Sequence, residues 1–201
     1  MSIKRFNGAG ISGTKSIKLW DQVTTQNDFQ SIATVVVTGS ASTVVFSGIP
    51  ANYTHLQVRV SARSQGGPNG TFNLQLSGDG TTAYGYGFHF FKGDGSSASA
   101  GHTGSGSQTS IQLPWISSSS ETTGVFSGVV IDILDYANLS KNKVIRSIGG
   151  FDNNGSGSAA ITSGIWLSNS AVTSLTFASS VSPYTFAVGT QFSLYGIKVS
   201  G

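Results

Sequence analysis

A strand that alternates apolar and polar residues one by one can bury only one face, and this chain repeats that pattern along most of its length. His55-Leu56-Gln57-Val58-Arg59-Val60-Ser61 is the clearest instance. Leu56, Val58 and Val60 fall on a core face, while His55, Gln57 and Arg59 fall on the other. Phe72-Asn73-Leu74-Gln75-Leu76 alternates in the same way. Ile32-Ala33-Thr34-Val35-Val36-Val37 and Thr43-Val44-Val45-Phe46 are β-branched runs, closed by Thr38-Gly39-Ser40 and Gly48-Ile49-Pro50. The longest apolar run, Val125-Phe126-Ser127-Gly128-Val129-Val130-Ile131-Asp132-Ile133-Leu134, reads as a buried strand, because it is β-branched and flanked by Gly124. Ile111, Leu113 and Trp115 form a short strand, and residues 144–151, 160–167, 175–177 and 191–199 complete the set. About ten or eleven short strands, with turn signals between them and no helix pattern, predict an all-β fold. The expected architecture is a two-sheet jelly-roll-like β-sandwich. Without an internal repeat, a propeller or solenoid is excluded.

The 201 residues suit one domain with a real core. Only 9% of them are charged, against roughly 25% in an ordinary soluble domain. That excludes a helical bundle or coiled coil. The 12 Phe, 6 Tyr and 3 Trp exclude a disordered chain. There is no cysteine, hence no disulfide or thiolate site. The net charge is +3, and the basic residues are scattered. The densest groups are Lys4, Arg5, Lys15 and Lys18, then Lys141, Lys143 and Arg146. They read as solubilising surface charges, so nucleic acid is not an expected partner. No apolar stretch approaches the roughly 20 residues that span a bilayer, so no membrane insertion is expected. No secretory leader pattern follows Met1, which predicts synthesis and assembly in a cytoplasm.

Three segments depart from the strand pattern. Residues 1–30 read as an extended N-terminal docking arm, leaving 31–201 as the sandwich domain. Ile11, Ile17, Leu19, Trp20 and Phe29 would be costly to leave in water, which marks them as the arm's partner-docking residues. Tyr84, Tyr86, Phe88 and Phe90 occupy every second position and form an aromatic face on one strand, which reads first as a core face and otherwise as a surface on which sugar rings could stack. Residues 92–109 are rich in Gly and Ser and read as a long loop.

Converging acids, bases or nucleophiles are hard to find. His55, His89 and His102 show no His-x-His or His-Glu-x-x-His spacing, so no metal site is expected. Asp132 and Asp135, three apart on a strand, point to opposite faces and do not make a glycosidase pair. Asp152-Asn153-Asn154-Gly155-Ser156 opens like a calcium loop, but position 163 is Ser where a bidentate Glu is needed, so it reads as a turn. Gly155-Ser156-Gly157-Ser158-Ala159-Ala160 lacks the helix and the acid of a dinucleotide site. No catalytic residue and no cofactor are expected.

Several runs stand out together. They are Phe46-Ser47-Gly48-Ile49-Pro50, then Tyr53-Thr54-His55-Leu56-Gln57 with Arg59. Further along come Ile131-Asp132-Ile133-Leu134-Asp135-Tyr136, Arg146-Ser147 leading to Gly150-Phe151, and at the end Gly189-Thr190-Gln191-Phe192-Ser193-Leu194-Tyr195-Gly196-Ile197. As the opening, middle and closing strand of one pattern, they resemble virion structural proteins of tailed bacteriophages, marine and cyanobacterial ones in particular. The resemblance covers residues 31–198 and carries no catalytic residues. It implies a non-enzymatic protein of the virion surface whose partners are other capsid or tail subunits. It also implies self-association, with a trimer as the expected form. A complete fibre needs a stalk, and no heptads are present, so the expectation is a capsid decoration protein or small tail-attached knob. The alternative is a tail-fibre-type receptor-binding module that meets host surface glycan through Tyr84, Tyr86, Trp115 and the 92–109 segment.

Overall fold

A computed structural model describes residues 28–67, 70–77, 85–180 and 183–198. The strands are β1 (Phe29–Val36), β2 (Thr43–Ser47), β3 (His55–Ala62), β4 (Ser64–Gln65), β5 (Phe72–Leu76), β6 (Tyr86–Gly93) and β7 (Ala98–Gln108). They continue with β8 (Ile111–Gln112), β9 (Ser127–Leu134), β10 (Lys143–Asp152), β11 (Gly157–Trp166), β12 (Ser174–Ser179), β13 (Thr185–Phe186) and β14 (Gln191–Ile197). Among the described residues there is no helix. Eight strands form one antiparallel sheet in the order β1-β14-β3-β9-β10-β11-β6-β7. Four form a second, β2-β12-β5-β8, and β13 pairs with β4 at one end.

The two larger sheets pack face to face. Leu56, Val58, Ile131, Ile133, Phe192 and Leu194 from the large sheet meet Phe46, Leu74, Leu76, Leu175 and Phe177 from the small one in one buried cluster. At its centre the Phe177 ring lies 4.9 Å from Phe192, 6.3 Å from Phe46 and 6.3 Å from Phe72. Each such side chain gains about 1.5–3 kcal/mol by leaving water. The alternation in β3 and β5 therefore does what the pleat requires: the apolar residues line the interior and the polar ones the outside.

The structure corrects two segment assignments. Phe29 is not part of an arm. It opens β1 and pairs with Ile197, and its ring stacks on Tyr195 at 4.7 Å. The Arg59 guanidinium lies over both rings, 4.9 Å from Phe29 and 5.3 Å from Tyr195. This docking is within the chain itself. Ile11, Ile17, Leu19 and Trp20 lie outside the described residues.

The 92–109 segment is not a loop. It is the end of β6 and the whole of β7, a hairpin on the edge of the large sheet. Its glycines hid the strand, because small residues leave no apolar period. Gly101 shows why one of them is required: a Cβ there would come 2.6 Å from the Phe90 ring, which lies across it. The turn between the strands is built by Asp94. Its Oδ1 accepts the backbone N–H of Ser97 at 2.7 Å and of Ser96 at 2.9 Å, and both serine hydroxyls donate to its carboxylate. These bonds, the Ser97 backbone N–H foremost, hold the carboxyl well below the usual carboxylate range.

A depressed folded value means that Asp94 tightens the turn at and above ordinary carboxylate values near 3.9, and that this is lost as pH falls through the lower folded value. Asp94→Ala is expected to speed amide hydrogen exchange at Ser96 and Ser97 at neutral pH. It should leave the global melting temperature unchanged and remove the acid-dependent step. Unchanged exchange at both amides would refute the turn's dependence on this carboxylate.

Candidate functional site

The outer face of the large sheet follows from strand register. Ala100 pairs with Phe91, Phe91 with Ile161, Ile161 with Ile148, Ile148 with Val130, and Val130 with Arg59. These residues form one row across β7, β6, β11, β10, β9 and β3, on the side turned away from the small sheet. With strands about 4.8 Å apart, the row is roughly 24 Å long. Phe91 is 63% exposed, Ile148 58% and Ile161 52%. Val144 and Ile165 pair two rows further along, beyond the polar pair Arg146 and Ser163. Phe91, Ala100, Ile148, Ala159 and Ile161 also line a shallow depression of about 530 Å3. Scattered surface hydrophobics need no explanation, but an apolar row that runs continuously over several strands marks an interaction surface.

Among the described residues the same corner has a bare edge. β7 ends the sheet, and its eleven residues include no Lys, Arg, Asp, Glu or Pro, the usual means of blunting an edge strand. The apolar row ends on Ala100 of this strand. Chemically, the pair of features suits non-directional apolar docking together with backbone pairing to an added strand.

Polar groups take over beyond the row. Asp132 accepts from Gln57 Nε2 at 2.9 Å and from Arg146 Nη2 at 3.4 Å. Asp135 sits in the turn after β9 at φ 51°, where its carboxylate accepts from Lys141 Nζ at 3.1 Å. Its own backbone N–H donates to His55 Nδ1 at 2.9 Å, so that nitrogen is an acceptor. The two aspartates are thus held in separate networks. The Asp152–Ser156 segment is a hairpin turn: Asp152 Oδ1 accepts from the Asn154 N–H at 2.9 Å and the Asn153 N–H donates to the Ser156 carbonyl at 2.7 Å.

Lys143 departs from its expected surface role. It is fully buried, and its Nζ donates to the carbonyls of Asn138 at 2.5 Å, Lys141 at 2.7 Å and Ser168 at 3.4 Å. Burial pushes its pKa down, against the opposing pull of Asp135. Its ammonium ties the 138–141 turn to the strand that follows it. A lysine among polar turn residues gives no sequence sign of this.

Of the residues expected to meet a glycan, Tyr86 and Trp115 take different surroundings. Tyr84 lies outside the described residues. Tyr86 is 1% exposed, stacked on Trp166 at 6.1 Å, and its hydroxyl accepts the Leu76 N–H at 2.9 Å. It belongs to the core because its strand turns that face toward the small sheet. Trp115 follows β8, which Pro114 terminates, and it is half-buried. Lys92 Nζ covers one face of its ring at 3.5 Å from the centroid. The cleft beside it holds about 100 Å3, below the roughly 300 Å3 at which small-molecule pockets begin.

No protein-family model, curated protein or solved structure matches the chain.

Proposed function

We propose that this protein is a non-enzymatic structural subunit of a tailed-bacteriophage particle, a capsid decoration protein or small tail-attached knob. In this reading the outer face of its large sheet is an assembly surface, and its jelly-roll-like sandwich is the rigid body that presents it. The row Phe91–Ile161–Ile148–Val130, its first three residues more than half exposed, carries the reading, since a lone domain gains nothing by keeping such a row in water.

The phage resemblance supports it from another direction. Four residues of the runs that carry the resemblance, Pro50, Tyr53, Tyr136 and Gly196, are distant in sequence and meet at one place. The Tyr136 hydroxyl donates to the Pro50 carbonyl and accepts the Tyr53 N–H at 3.4 Å. The Tyr53 ring lies against Gly196, where a Cβ would come within 2.3 Å of it. Contacts of this kind between the opening, middle and closing runs support an architectural role for them. Residues 1–27 would add a second attachment through Ile11, Ile17, Leu19 and Trp20.

Electron microscopy of purified particles tests this reading. The sandwich is expected on the capsid or tail surface with the Phe91 face against a neighbouring subunit. Absence from particles, or a Phe91 face turned to solvent, overturns it. Truncation to a chain starting at Asp28 spares β1 and isolates the arm. Its expected result is weaker attachment, and attachment as in the full chain would refute the docking role of the arm.

A further inference from the structure

Register also places two imidazoles face to face. His89 on β6 pairs with His102 on β7, with ring centroids 5.7 Å apart and planes 23° from parallel. Both side chains are exposed on the outer face, where Ser163 of β11 is the next residue in their row. Among the described residues neither ring makes a hydrogen bond, so the ring nitrogens are free to ligate. His55 differs, with its Nδ1 already taken by the Asp135 N–H.

We infer that His89 and His102 form a two-imidazole chelating site for a borderline divalent transition ion such as Zn2+, Ni2+ or Cu2+. Imidazole suits these ions, whereas Mg2+ and Ca2+ take oxygen ligands. A tetrahedral ion bound at about 2.0–2.1 Å per nitrogen needs the two nitrogens about 3.4 Å apart. The nitrogens lie on the ring edges, so turning both edges inward closes the 5.7 Å separation of the centroids. Exposure makes that rotation inexpensive. Among the described residues no third His, Cys, Asp or Glu joins the pair, which leaves the other coordination positions to water. Chelation would clip β7 to β6 at the bare edge of the sheet. The inference stands on the hairpin register and is independent of the virion reading.

Isothermal titration of the full chain with ZnCl2, with NiCl2 and with MgCl2 tests the site. One Zn2+ or Ni2+ per chain is expected, with no Mg2+ binding. His89→Gln and His102→Gln should each weaken binding by roughly tenfold or more, because the tethered second ligand is lost. Side-chain NMR of the unaltered chain gives a measure that needs no variant: Zn2+ should shift the imidazole signals of His89 and His102 together and leave His55 unmoved. No saturable Zn2+ binding, equal affinity in either variant, or shifts confined to other residues would overturn the site.

Discussion

Phe91→Asp combined with Ile161→Asp is expected to leave the sandwich folded and to abolish its incorporation into particles. The two side chains face each other across β6 and β11 at the centre of the exposed row. Both are more than half exposed, so the folded monomer loses little core contact. The strand preference against Asp adds up to about 1 kcal/mol per site. At a buried interface the balance is different. Each substitution forfeits about 1.5–3 kcal/mol of apolar burial. Each also brings an unpaired carboxylate, whose desolvation costs several kcal/mol. At about 1.4 kcal/mol per tenfold, association should fall by roughly three orders of magnitude or more. Circular dichroism confirms the fold, and co-sedimentation with particles lacking the protein reads the binding. Binding of the double variant at the level of the original chain would show that this face is not the interface.

The second large effect is on stability. Phe177→Ala should cost about 3–5 kcal/mol, the usual range for deleting a fully buried ring. Phe177 is fully buried, and the rings of Phe46, Phe72 and Phe192 surround it from both sheets. Strands held in register on either side cannot easily collapse into the space it leaves. Against a total stability of about 5–15 kcal/mol, this is a large fraction. For a domain of this size it lowers the melting temperature by about 6–20 °C. Val45→Ala is the comparison: Val45 is 51% exposed on β2, opposite Thr176, and should cost under about 1 kcal/mol. A thermal melt of the two variants decides it, and equal shifts would refute the central place given to Phe177.

How legible the fold was depended on side-chain size. β3 and β5 were readable residue by residue because large apolar side chains alternate with polar ones. β7 was not, because Ala, Gly and Ser give the same weak signal in a strand or a loop. Phe90 supplies the missing bulk from the neighbouring strand by lying over Gly101. Phe29 reads as part of an arm for a related reason: its stacking partners, Tyr195 and Arg59, are remote in sequence. Lys143 departs in the other direction. Its polar tip reads as exposed, but it finds three backbone carbonyls inside.

The candidate surface had a partial sequence signal. β10 and β11 carry apolar residues at outward positions, Val144, Ile148, Ile161 and Ile165, as well as inward ones. In sequence such runs look like strands buried on both faces. Among the described residues one of those faces is left open, so the outward residues form a surface.

The amino-acid sequence by itself determined that this chain is all-β and which residues of its clearest strands face the core. Those are local properties, set by the two-residue period of the pleat and by Gly, Pro and Asn at the turns. Only the tertiary structure decided which strands are neighbours and in what register. That choice joined Phe91, Ile161, Ile148 and Val130 into one row, and set His89 against His102. Pairing between strands depends on contacts between distant residues, and nothing in a single strand's own pattern records which partner it will meet.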